Sequence, residues 1–187
     1  MPLVKAGRIV EDSYVRIDGD APLPDGVPVI VEAKRLLAEA DSLLAGGVPV
    51  GVVWPNDRRV AELAPWLDRL ALVALVFPKF RDGRAYSQAR LLRERFRFRG
   101  ELRATGDVLR DQFLFLIRAG FDSLEVKKPA DAAAFAEAVG RYSVFYQQSA
   151  NGGTPAARRR LSRAAAAPTS LDHSGAGEAS GLSFSTT

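Results

Sequence analysis

Apolar residues in this chain gather into short dense runs, and between the runs they recur at helical spacing. Leu72-Val73-Ala74-Leu75-Val76-Phe77 is the densest run, of the kind that fills a strand buried on both faces. The text then turns polar. Pro78-Lys79-Phe80-Arg81-Asp82-Gly83-Arg84 is a loop, because Pro78 cannot donate to a strand ladder and Gly83 permits a backbone turn. Ala85, Ala89, Leu92 and Phe96 return on one face and predict a helix from about Ala85 to Arg97, stopped by Gly100. Leu102 to Thr105 is the next strand.

The same alternation extends to both sides of this unit. Upstream, Gly7-Arg8-Ile9-Val10 and Tyr14-Val15-Arg16-Ile17 alternate polar and apolar positions and predict a short antiparallel decoration within residues 1–26. Val27 to Val31 is an edge strand or a strand start because of Pro28. A helix from Ala33 to Ala45 carries Leu36, Leu37, Ala40, Leu43 and Leu44 on one face and ends at Gly46-Gly47. Val48 to Trp54 is a buried strand, Pro55-Asn56-Asp57 its loop, and Val60 to Leu70 a helix that Pro65 kinks or splits. Downstream, Asp107 is placed to cap a helix over Val108 to Ala119 that closes at Gly120. Leu124-Glu125-Val126 is a strand, Ala130 to Val139 a helix, and Val144 to Gln147 the last strand.

Strands alternating with helices at this spacing predict an α/β fold with a mainly parallel sheet of repeated strand-helix units. An open three-layer sheet and a partial barrel need the same local pattern, so both remain open. Residues 1–148 are expected to form a single α/β domain. Residues 149–187, rich in Ala, Ser, Gly and Thr, hold too few large apolar side chains to offset their ordering entropy and predict a disordered low-complexity tail.

Composition narrows the chemistry. The chain has no cysteine and one histidine, His173, in that tail. It cannot therefore exchange dithiols or hold an iron–sulfur cluster by its usual ligands, and a histidine triad or zinc site is disfavoured. A redox role would need a borrowed cofactor, whose identity the residues do not give, or a partner. No apolar run approaches the roughly 20 residues that cross a bilayer. Met1 to Lys5 shows no signal-peptide pattern, so a cytoplasmic location is expected.

The net charge of +4 is unevenly spread, with ten basic residues against four acidic ones between Lys79 and Arg110. Such a cationic segment points to an anionic ligand or an acidic patch on a partner. In parallel α/β folds ligands bind outside the carboxyl ends of the strands. The residues that follow the predicted strands are Asn56 and Asp57; Lys79, Arg81, Asp82 and Arg84; Thr105 and Asp107; Lys127 and Lys128; and Gln147. Lys79, Arg81, Arg84 and Lys127 are the candidate anion contacts.

Asp82, Asp107 and Tyr86 are candidates for a catalytic role, beside plainer readings as turn residue, helix cap and packed ring. Arg93, Arg95, Arg97 and Arg99 read as a solvated helix face. Their interleaving with Phe96 and Phe98 could also stack single-stranded nucleic acid, which is disfavoured because Phe96 fits the core face and no RNA-binding signature surrounds it. There is no Walker loop, no Gly-x-Gly-x-x-Gly after a strand and no paired metal-ligand spacing.

The consecutive texts Phe80-Arg81-Asp82-Gly83-Arg84-Ala85-Tyr86-Ser87-Gln88-Ala89-Arg90 and Gly100-Glu101-Leu102-Arg103-Ala104-Thr105-Gly106-Asp107-Val108-Leu109-Arg110-Asp111-Gln112 resemble a bacterial family, domain of unknown function 934. The resemblance runs from about Gly7 to Gln148 and is strongest from Phe77 to Glu125. Members are usually labelled oxidoreductases of sulfite reduction, after the sulfite reductase and sulfate-activation genes beside which theirs lie. The resemblance thus implies a role in sulfate and sulfite assimilation and a partner such as sulfite reductase or a neighbouring enzyme of that pathway. Joined to the cysteine-free composition, it makes an accessory or coupling component the first expectation. A small α/β enzyme binding sulfite, sulfate or a phosphate ester at the strand ends is the alternative.

Overall fold

The apolar run at Leu72–Phe77 forms β6, with neighbours on both sides in a single eight-stranded sheet. The computed structural model describes residues 1–128 and 130–135. The other strands are β1 (Leu3–Lys5), β2 (Arg8–Val10), β3 (Val15–Arg16), β4 (Val29–Glu32), β5 (Val50–Trp54), β7 (Glu101–Gly106) and β8 (Ser123–Glu125). Their order across the sheet is β2-β1-β8-β7-β6-β5-β4-β3. From β3 to β8 neighbouring strands are consecutive in sequence and parallel, while β1 pairs antiparallel with both β8 and β2.

Consecutive parallel neighbours place their crossovers on a common face. The large buried cluster there joins Val31, Val52, Leu75 and Leu102 of the strands to Leu36, Ala89 and Leu116 of helices α1 (Ala33–Ala45), α2 (Arg84–Arg90) and α3 (Phe113–Ala119). The other face holds a small apolar cluster of Ile30, Leu72 and Ala74, with no helix residue in it. That face is concave. Neighbouring strands lie about 4.8 Å apart, so β3 and β8 in a flat sheet would stand roughly 24 Å from each other. Instead Arg16 of β3 reaches Glu125 of β8 at 2.8 Å. The sheet is therefore a curled half-barrel, and of the two arrangements open at the sequence level the described residues take the partial barrel. The curvature leaves little room inside: a Cβ on Gly51 would lie 3.0 Å from Leu72 and 3.1 Å from Ile30.

Several elements differ from the sequence reading. β1 and β2 form the expected antiparallel decoration, but Val15–Arg16 does not belong to it and pairs parallel with β4 at the far edge of the sheet. The segment predicted as a helix from Val60 to Leu70 is a 3₁₀ helix over Val60–Trp66, with Pro65 inside it unable to donate a helical hydrogen bond. The helix predicted to reach Arg97 is α-helical only to Arg90 and continues as a π turn over Leu91–Arg95, closed by the Phe96 N–H on Leu91 O at 3.0 Å. Beyond it Arg97 takes left-handed backbone at φ 54°, and the chain folds back beneath Arg93.

α3 starts at Phe113, not near Val108, because the Asp107 carboxylate is engaged elsewhere and does not cap it. Its end at Gly120, left-handed at φ 103°, is as expected. Residues 130–135 are helical. The remainder of that predicted helix, the strand Val144 to Gln147 and the tail of residues 149–187 lie outside the described residues.

Candidate functional site

The register Trp54↔Leu75 and Phe77↔Gly106 brings the carboxyl ends of β5, β6 and β7 to one edge of the sheet, and β8 follows beside β7. Gly106 lets the chain turn there. It sits at φ 95°, and a Cβ on it would meet Phe77 O at 2.4 Å, so a side chain is excluded on both counts. The turn delivers Asp107, whose N–H donates to Phe77 O at 2.7 Å.

The loop between β6 and α2 divides this rim into two clusters. On the β7 and β8 side, Asp107 accepts from the Phe80 N–H at 3.0 Å and from Lys127 Nζ at 2.6 Å, while Gln112 Nε2 donates to Phe80 O at 2.9 Å. On the β5 side, Arg84 donates to both oxygens of Asp82, at 3.0 Å from Nε and 2.7 Å from Nη2. Gln88 of α2 donates from Nε2 to Pro55 O at 3.0 Å and Arg58 O at 2.8 Å, tying the helix to the loop after β5.

Each residue singled out in the sequence can now be located. Lys79 and Arg81 are exposed on the dividing loop and face no carboxylate among the described residues; Arg81 lies over the Phe80 ring at 5.6 Å, and that ring is itself 47% exposed. Arg84 and Lys127 are partly neutralised by Asp82 and Asp107. Asp82 is held well below the usual carboxylate range, first by the Arg84 hydrogen bonds, with Asn56 acting in the same direction. Asp107 is lowered by Lys127 and then by the Phe80 N–H. Tyr86 packs edge-on against Phe77 at 5.2 Å, and burial, aided by the Asp111 charge, pushes its hydroxyl up to about 12. Asp57 and Lys128 are exposed, and Gln147 lies outside the described residues. Thr105 departs from the expected rim and points to the inner face, donating to Glu125 at 2.5 Å.

That inner face holds a cluster the sequence reading passed over. Arg103 is 1% exposed and donates to Asp12 at 2.5 and 3.0 Å and to Glu101 at 3.1 and 3.0 Å. Glu101 also takes Lys5 at 2.8 Å and the Ser123 hydroxyl at 2.7 Å. Desolvation works against every charge here, yet the mutual hydrogen bonds win. Arg103 is raised above the ordinary guanidinium value, and Asp12 and Glu101 are lowered. The signal was available in Glu101-x-Arg103-x-Thr105 and Ser123-x-Glu125. Polar residues at every second position of a strand share one face, and in an otherwise apolar sheet they must find each other.

A cavity of about 270 Å³ opens on the β5 side of the rim, walled by Arg58, Arg59, Arg84, Arg95, Leu91 and Phe96. Among the described residues no cluster of His, Asp and Glu could hold a metal ion, and no helix is long and apolar enough to cross a membrane.

These features define a curled α/β half-barrel with a polar strand-end rim that exposes the cations Lys79 and Arg81. The chain belongs to the family described as a bacterial protein of unknown function, DUF934, whose profile matches residues 51–157. The matched span begins in β5 and takes in both rim clusters and the cavity. The comparison with curated proteins found no match.

Proposed function

We propose that the protein is an accessory component of assimilatory sulfite reduction that docks on sulfite reductase or a neighbouring enzyme through its strand-end rim. The observation that carries this reading is the loop after β6, where Lys79 and Arg81 flank an exposed Phe80 and face no carboxylate among the described residues. An exposed aromatic ring between uncompensated cations matches the composition of binding hot spots, and its charge suits an acidic partner patch. The loop is also held in shape by Asp107 and Gln112, which lowers the ordering cost of binding. The pathway itself rests on the family resemblance.

The alternative, an enzyme acting on sulfite, sulfate or a phosphate ester at the rim, has less support. An efficient general acid or base titrates near the working pH. Asp82 and Asp107 are held below the usual carboxylate range by cations, and Tyr86 is pushed up to about 12. Carboxylates so held orient the neighbouring Arg84 and Lys127 more readily than they move a proton.

The test is a pull-down of the tagged protein from native lysate at low salt, with the captured proteins identified by mass. Lys79→Glu with Arg81→Glu should abolish recovery of the reductase or its neighbour. Equal recovery with the charge-reversed protein would overturn the docking surface.

A further inference from the structure

We propose that the arginine-walled cavity beside α2 binds a planar organic phosphate or sulfate ester, its anionic group among the guanidinium groups and its ring against Leu91 and Phe96. The cavity lies between the 3₁₀ helix Val60–Trp66 and the π turn that extends α2. Four arginines converge on it from three segments of chain. Arg58 is paired with Glu62 at 3.0 Å and lies over Trp54 at 5.5 Å, and Arg84 is paired with Asp82. Among the described residues the side chains of Arg59 and Arg95 have no carboxylate partner, and Arg95 lies over the Phe96 ring at 5.9 Å. Glu62, Asp82 and Asp57, whose charge also reaches Arg84, thus stand against four guanidinium groups around one small volume, and the surplus of positive charge favours an anion there.

The remaining walls say what else the ligand carries. Leu91 is 43% exposed and lines the same volume as Phe96, an apolar strip that a bare oxyanion would leave uncovered. Gln88, 6% exposed, also lines it. Both of its Nε2 hydrogens are committed to Pro55 O and Arg58 O, which fixes the orientation of the amide, and Oε1 is left buried without a donor. A buried acceptor in that condition, with no donor on it among the described residues, can take one from a ligand, such as a ring N–H or a water carried with it. The π turn at Leu91–Arg95 belongs to a class of helix irregularity frequent at functional sites. The volume is small for a ligand site, which suits one ring system with one anionic group and not a dinucleotide.

This goes beyond the docking reading and can fail separately from it, since docking is tested at Lys79 and Arg81 and the cavity at Arg59 and Arg95. Isothermal titration of the full chain with AMP, UMP and flavin mononucleotide, and with adenosine and inorganic phosphate as controls, decides it. At least one of the three esters should bind saturably, with both controls weaker. Arg59→Ala with Arg95→Ala should weaken that ester about tenfold or more, the worth of charge-assisted hydrogen bonds, with the thermal midpoint unchanged. The proposal is overturned if none of the esters saturates, if inorganic phosphate binds as tightly as they do, or if the double variant binds as well as the parent.

Discussion

Arg16 donates to Glu125 across the mouth of the curled sheet, Nη2 to Oε1 at 2.8 Å, although their strands are the first and last of the parallel set. The second oxygen of Glu125 takes the Thr105 hydroxyl at 2.5 Å, and Arg103 Nη1 stands 3.5 Å from the first. One carboxylate thus ties β3, β7 and β8 together. The concave face is closed on this side by charge and hydrogen bonds, whereas the face under the helices is closed by apolar packing.

Arg103 is the residue on which that network turns. Arg103→Ala would leave Asp12 without its bidentate partner and Glu101 with Lys5 alone in a desolvated place, at a cost of about 3 kcal/mol in urea unfolding. Arg103→Met fills the space and should cost less. The pH dependence follows from the lowered carboxylates. Asp12 and Glu101 bind protons less readily folded than unfolded, so their contribution is complete above the ordinary carboxylate range and is lost as pH falls through their depressed values. Urea midpoints of the parent should therefore drop below about pH 4, and either variant should flatten that drop. A parent midpoint constant into acid would contradict this account.

Gly106→Ala introduces a left-handed alanine and a Cβ 2.4 Å from Phe77 O, where backbone on both strands must shift. A loss of roughly 1–3 kcal/mol from strain alone is expected, with the clash in addition. Gly83→Ala is the control, with no positive φ and only a Tyr86 ring carbon at 3.9 Å from the added Cβ. Thermal melts of the two should separate clearly.

How much of this was legible in the sequence depended on whether an element is set by its neighbours in the chain or by distant ones. β6 and the loop after it were readable because six apolar residues followed by Pro78 admit few local alternatives. The rim followed from strand direction alone. The placement of β3 was not readable, because Val15 and Arg16 find their partners at Val29 and Ile30 by the closure of the whole sheet. Asp107 looked like a helix cap because nothing local reveals that Phe80 and Lys127 reach it first. The inner charge cluster joins Asp12 to Arg103, 91 residues apart, and periodicity marks the face such residues occupy without naming their partners.

Tyr86 should be visible in an alkaline absorbance titration. Its hydroxyl is pushed up to about 12 by burial, while burial also raises Tyr14, so a late ionisation near that value should appear and Tyr86→Phe should remove it. Because the folded protein disfavours the tyrosinate, this contribution to stability is complete below about pH 10, the ordinary value, and fades as pH rises toward 12. The variant should keep more of its stability in that window. A Tyr86 that titrates near pH 10, the ordinary tyrosine value, would mean that its ring is not packed against Phe77.

The run of alternating arginines after α2 divides into residues of different kinds, and stability can tell them apart. Arg93 is not a solvated residue: its side chain is 13% exposed and donates to Gly120 O at 3.0 Å, Phe98 O at 2.6 Å and Gly100 O at 3.0 Å, with Asp122 at 2.5 Å. It joins the π turn to the start of β7 and to the end of α3. Arg93→Ala leaves three carbonyls short of a charged donor, and a loss of roughly 2–4 kcal/mol is expected, near the upper range for single hydrogen-bonding residues. Arg93→Lys should recover only part of it, since one ammonium cannot reproduce the planar fork. Arg95→Ala, whose guanidinium lies over the Phe96 ring and pairs with no carboxylate among the described residues, should change stability by less than about 0.5 kcal/mol. Equal urea midpoints for Arg93→Ala and Arg95→Ala would restore the view of this segment as a uniform charged surface.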